Sequence, residues 1–149
     1  MSSFVFLDEK LVYIELLNKA IMKTKTIITL IGALNVLQGI GFILGGETLT
    51  KQSFPEYMLT GGAVEVGAAM HWPLGVACIV IGIILFSTRS LPLKEAKKVL
   101  LYTGLAYTFF LINGLLQHFT TPVNVPMQAL GLIAFLAALA FYSSKSAKS

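Results

Sequence analysis

Between Glu65 and Arg89 stand twenty-three consecutive residues without a charge, Val66 to Thr88. Wound as a helix at about 1.5 Å per residue, that run is long enough to cross a hydrocarbon core of about 30 Å. Three comparable runs accompany it, at about 26–46, 99–119 and 123–142. In lipid a backbone must satisfy its own hydrogen bonds, which a helix does within one segment. The chain therefore reads as all-α, a membrane-spanning four-helix bundle over residues 26–142, forming one domain.

Composition agrees. With 56% hydrophobic and 12% charged residues in 149, the chain lacks the polar surface a water-soluble globule of this size requires. A net charge of +4 would suggest nucleic acid in a soluble protein, but here the basic residues flank the spans, no nucleic-acid motif appears, and the expected partner is the lipid bilayer. Cys78, the single cysteine, lies inside the second span, so no intramolecular disulfide can form and the redox compartment is unreadable.

Residues 1–25 precede the first span with two apolar clusters broken by Asp8, Glu9 and Lys10. At 100° per residue Tyr13, Ile14, Leu16, Leu17, Ala20 and Ile21 fall on one side, with Asp8, Glu15, Asn18 and Lys19 opposite. That pattern predicts an amphipathic helix lying in the membrane interface or packed on a partner protein. Acidic residues ahead of a broken apolar segment do not make a signal peptide, and Met22-Lys23-Thr24-Lys25 itself resembles the start of an inner-membrane protein.

Residues 47–65 are expected to form a loop with a short helical turn, interrupted by Pro55 and Gly61-Gly62. Pro73 predicts a kink or local opening in the second span, since its missing N–H leaves the Ala69 carbonyl without a helical donor. Ser90 and Pro92 mark the start of the third helix. Thr120 to Pro126 reads as a tight turn, and residues 143–149 as a disordered Ser/Lys tail. Gly41-Phe42-Ile43-Leu44-Gly45 has a GxxxG spacing, read as packing within the chain.

Lys and Arg number four before the first span, one in the first loop, four in the second loop, none in the third and two in the tail. Ten of eleven thus fall on one side, which the positive-inside rule makes cytoplasmic, with both termini inside. A bacterial inner membrane is the expected location.

This topology brings uncharged polar residues to similar depth. Gln38, His71, Asn113 and Gln128 fall within roughly 12 Å of the outer face, with Asn35 nearer the midplane and Gln117, His118 and Asn124 at the rim. Helical phase gives a stripe on each helix: Gly32, Asn35, Gln38, Gly39 and Phe42; Val64, His71, Gly75, Cys78 and Gly82. On the third helix it is Tyr102, Ala106, Phe110, Asn113 and Gln117, and on the fourth Asn124, Gln128, Gly131, Phe135, Ala138 and Tyr142. Polar and small residues prefer protein to lipid, so the stripes are expected to face inward.

Two readings of this constellation stand side by side. One is a small outer-leaflet cavity lined by Asn35, Gln38, His71, Asn113, Gln117 and Gln128, with His71 as ligand contact or proton carrier. The other is interhelical hydrogen bonding that needs no ligand, at about 0.6 kcal/mol per contact. Two histidines suggest haem or metal, but no Cys, Asp or Glu supplies further ligands, so no metal is assigned and no cofactor is named. No phosphate-binding loop, nucleophile elbow or carboxylate pair occurs, so no catalytic residue is assigned. Every acidic residue lies outside the spans, which disfavours proton-pump or cation-transport chemistry.

The glycine-rich first span (Gly32 to Gly46), the spaced glycines of the second (Gly75 to Gly82) ending in Ser-Thr-Arg-Ser, and a third span rich in aromatic and small residues together resemble the DoxX-like group of small bacterial four-helix membrane proteins. The resemblance implies a compact helical bundle with a redox- or quinone-associated role. Two functional classes follow. One is a non-catalytic accessory or assembly subunit of a larger membrane complex or homo-oligomer. The other holds a quinone, lipid or other small amphipathic molecule around His71.

Overall fold

The computed structural model describes the backbone from Ser2 to Lys145 and the side chains from Lys23 to Lys145. Four helices follow in order: α1 (Ser2–Ser53), α2 (Ala63–Ser87), α3 (Leu93–Thr120) and α4 (Met127–Lys145), with single 3-10 turns at Glu56–Met58 and Thr88–Ser90. No strand occurs among the described residues. The stretches Lys23–Ser53, Ala63–Ser90, Leu93–Thr120 and Met127–Lys145 are each long and apolar enough to cross a membrane. The protein is a multi-pass integral membrane protein built as an all-α four-helix bundle.

The helices outrun the expected spans. α1 continues seven residues past Gly46 to Ser53, and α4 begins at Met127 after an extended link, not at Val123. α1 also runs without a break at Thr26; from Ser2 to Ile31 the sequence contains neither Gly nor Pro to interrupt it. The amphipathic face expected for residues 1–25 lies outside the residues whose side chains are described. α2 stays helical through Pro73.

Turn chemistry follows the sequence. Gly61 and Gly62 have φ of 58° and 87°, left-handed values that glycine adopts without a Cβ penalty, and Gly62 caps α2. Pro92 caps α3, and its carbonyl accepts from the N–H groups of Glu95 and Ala96 at 3.0 and 2.9 Å. At the end of α2 the hydroxyls of Ser87 and Thr88 donate to the carbonyls of Ile84 and Leu85, each at 2.7 Å.

α1 packs along α2, and α3 along α4; the two hairpins meet mainly through α1, which touches both α3 and α4. The α1–α2 contact is a ladder of small residues. Gly32 lies opposite Gly82, Gly39 opposite Gly75, and Gly46 opposite Ala68, so each step of seven along α1 matches a step of seven back along α2. A Cβ built on Gly39 would stand 2.5 Å from the Gly75 carbonyl oxygen, and one on Gly75 would stand 2.6 Å from that of Gly39. Between lipid-embedded helices no hydrophobic transfer energy is gained on association, so backbone approach of this kind supplies van der Waals contact instead.

The apolar core is lopsided. Ile27, Ile28 and Ile31 of α1, Leu85 of α2, Leu100 and Tyr107 of α3, and Leu136, Ala137 and Ala140 of α4 form one buried cluster. It sits in the half of the bundle nearest Lys23, Lys25, Arg89 and Lys94, hereafter the basic end. At the far end the hairpins are tied by a backbone bond, the Asn124 N–H donating to the Ser53 carbonyl at 2.7 Å.

Candidate functional site

The inward stripes expected on α1 and α2 are where the sequence puts them. Gly32, Asn35 and Gly39 are buried and Gln38 and Phe42 partly so; Gly75 and Gly82 are buried, with Val64, His71 and Cys78 partly so. Those expected on α3 and α4 face the other way. Tyr102 is 65% exposed, Phe110 56%, Phe135 56% and Tyr142 58%, while Ala106, Asn113, Gln117, Gln128, Gly131 and Ala138 are exposed as well. The buried face of α3 carries Ala96, Leu100, Gly104 and Tyr107, and that of α4 carries Leu130, Leu136, Ala137, Ala140 and Ser143.

The six candidate residues accordingly divide. Asn35, 4% exposed, uses its side-chain NH2 twice, donating to the Ile31 carbonyl of its own helix at 2.8 Å and to the Tyr107 hydroxyl of α3. The second bond joins the two hairpins at the edge of the core. Gln38 is partly buried one turn further along α1. His71 turns back on its own helix: Nδ1 donates to the Gly67 carbonyl at 2.8 Å, and the ring lies 5.9 Å, centroid to centroid, from Phe42. Because a carbonyl only accepts, that bond places the proton on Nδ1 and leaves Nε2 as the neutral ring's acceptor. Asn113 and Gln117 pair with each other, Gln117 Nε2 donating to Asn113 Oδ1 at 3.4 Å, on an exposed face of α3. Gln128 is exposed at the start of α4. The residues do not close into one six-membered lining.

Two residues were missed from the sequence. Tyr107 supplies the hydroxyl that Asn35 meets. Ser143 is buried and its Oγ has no hydrogen-bond partner among the described residues. His118, which the sequence places at the rim, has its Nδ1 sealed from solvent without a partner among the described residues, its ring edge-on to Phe119 at 5.2 Å. The glycines of α3 carried the signal. A Cβ on Gly104 would stand 3.1 Å from the Phe141 ring, and one on Gly114 2.7 Å from a Leu130 methyl, so these glycines mark the face that packs on α4. By the same measure the Gly41–Gly45 spacing is not packing within the chain. A Cβ on Gly41 would meet nothing within 4 Å, and one on Gly45 only Leu49 of its own helix.

Chemically, the arrangement offers a hydrogen-bonded brace between hairpins, an imidazole beside an aromatic ring, and neutral amides on the outer surface. Among the described residues no group of three or more His, Cys, Asp or Glu is placed to hold a metal ion. Comparison with models of protein families, with curated proteins and with solved structures finds no match in any of the three.

Proposed function

We propose that this chain is a non-catalytic accessory or assembly subunit of a larger membrane complex, resident in a bacterial inner membrane with both termini cytoplasmic. The observation that carries the reading is the exposure of Asn113 at membrane depth, with Gln117 exposed beside it nearer the rim. Asn113 lies seven residues, roughly 10 Å along the helix, from the end of α3. Amides at such depth favour protein over lipid as neighbour, and α2 and α3 leave most of their length uncovered by the rest of the chain. Affinity purification in mild detergent followed by native mass spectrometry tests it. A stoichiometric protein partner, of this or another chain, is the expected result; a monomer carrying only lipid overturns it.

A second reading has its own observation. At the far end Phe42 and His71 stand together and the imidazole Nε2 is free of its own helix. A quinone in its quinol form, or a lipid hydroxyl, donating to Nε2 suits that chemistry, and the resemblance to DoxX-like proteins points the same way. The same spectra test it through retention of a small molecule by the wild type and its loss in His71→Leu.

A further inference from the structure

We propose that the partner is a second copy of this chain, joined across the outward face of α3. This rests on the assembly reading and deepens it. The face is continuous over about three turns: Ala106, Phe109, Phe110, Asn113, Leu116 and Gln117 are all exposed. It carries Ala106 and two amides one turn apart among larger apolar side chains, and such amides hydrogen-bond across helices in a membrane.

The choice of a second copy follows from depth and hydrogen-bonding complementarity. Two copies inserted the same way, related by a twofold axis along the membrane normal, bring each residue of α3 opposite its own counterpart at equal depth. A charged residue there would repel itself. α3 carries no Asp, Glu, Lys or Arg between Val99 and Thr120, and its one histidine, His118, has its Nδ1 sealed within the protein. A carboxamide is the reverse of a repelling group, since it both donates and accepts and so complements its own copy. Gln117 gives its NH2 to Asn113 Oδ1, which leaves the Asn113 NH2 and the Gln117 carbonyl oxygen to face the partner. Each copy thus presents a free donor and a free acceptor at neighbouring depths. A single buried asparagine likewise fixes register in paired helices.

The test is disulfide trapping in a Cys78→Ser background, in liposomes of bacterial lipid at a high lipid-to-protein ratio. Asn113→Cys is compared with two exposed positions elsewhere. Met70→Cys lies seven residues inside α2, in the same half of the bundle as Asn113, and Gly41→Cys sits on the open GxxxG face of α1. Rapid dimer formation through position 113 and little through 70 or 41 is expected. In the cysteine-free chain, Asn113→Leu/Gln117→Leu should keep its thermal unfolding while dimerisation, read by fluorescence energy transfer, falls roughly three- to eightfold, the scale of one to two interhelical amide bonds in lipid. Equal trapping at all three positions, trapping through 41 alone, or no loss in the double leucine variant each overturn the proposal. Trapping of position 113 to a different chain in native membranes would also overturn it while leaving the assembly reading intact; a monomer in both settings would end both.

Discussion

Gly39 and Gly75 meet back to back where α1 crosses α2, each leaving room for the other's carbonyl oxygen and for nothing larger. A methyl on Gly39 would also stand 3.0 Å from the Ile79 amide nitrogen, and backbone cannot turn aside as a side chain can. Gly39→Ala should therefore push the helices apart and destabilise by about 1–3 kcal/mol, the usual cost of overpacking. Gly41→Ala, two residues away on an open face, should leave stability unchanged or raise it by up to roughly 1 kcal/mol through helix propensity. Paired unfolding curves in detergent check both, and equal effects would show that the ladder does not hold the hairpin.

The bond from Asn35 to the Tyr107 hydroxyl joins the two hairpins within the spans, and Lys23 donates to the Tyr142 hydroxyl at the basic end. Tyr107→Phe and Asn35→Leu should each destabilise, and the double variant should cost less than their sum. The coupling expected from other membrane helices is about 0.6 kcal/mol and at most about 1.7. A double-mutant cycle by thermal unfolding measures it. Strict additivity would mean the two side chains act independently.

How much of this was legible in the sequence depended on which residues were read as inward. On α1 and α2 glycine and amide share a face, so Gly32, Asn35, Gly39 and Gly75, Cys78, Gly82 give one answer. On α3 they conflict, because Gly104 and Gly114 lie on one side and Asn113 and Gln117 on another. Treating amides as the guide put the α3 stripe on the wrong face. The preference of an amide for protein is real, but it does not say whether that protein is the same chain. On α4 neither guide serves, since Gly131 meets open space and the packing is made by Ala137 and Ala140. Span number and order came from uncharged length alone. The ends were misjudged because Glu47, Thr50 and Lys51 read as loop, although nothing before Pro55 stops a helix.

Topology can be checked with the same Cys78→Ser background. Lys51 lies near the end of α1, and Arg89 follows α2, so one crossing of the membrane separates them. A membrane-impermeant maleimide added to intact cells should modify Lys51→Cys and spare Arg89→Cys, with the pattern reversed in inverted vesicles. Modification of both from the same face would remove α2 from the list of spans.

The His71 variants separate structure from function. Its Nδ1 bond goes to the Gly67 carbonyl, which as an ordinary i−4 helical acceptor also serves the His71 backbone N–H. No buried amide waits on the ring: Asn35 is committed to Ile31 and Tyr107, while Asn113 and Gln128 lie on the outer surface. His71→Leu should then cost no more than about 0.5–1.5 kcal/mol, the net worth of one hydrogen bond, and His71→Gln should fall between leucine and wild type. A loss of several kcal/mol in the leucine variant would mean that the ring braces the bundle through Phe42. With stability so little changed, any effect of His71→Leu on a bound quinone or lipid can be assigned to the imidazole itself. Glutamine then distinguishes a hydrogen-bond acceptor from a proton carrier, because it keeps an accepting oxygen but cannot titrate near neutral pH.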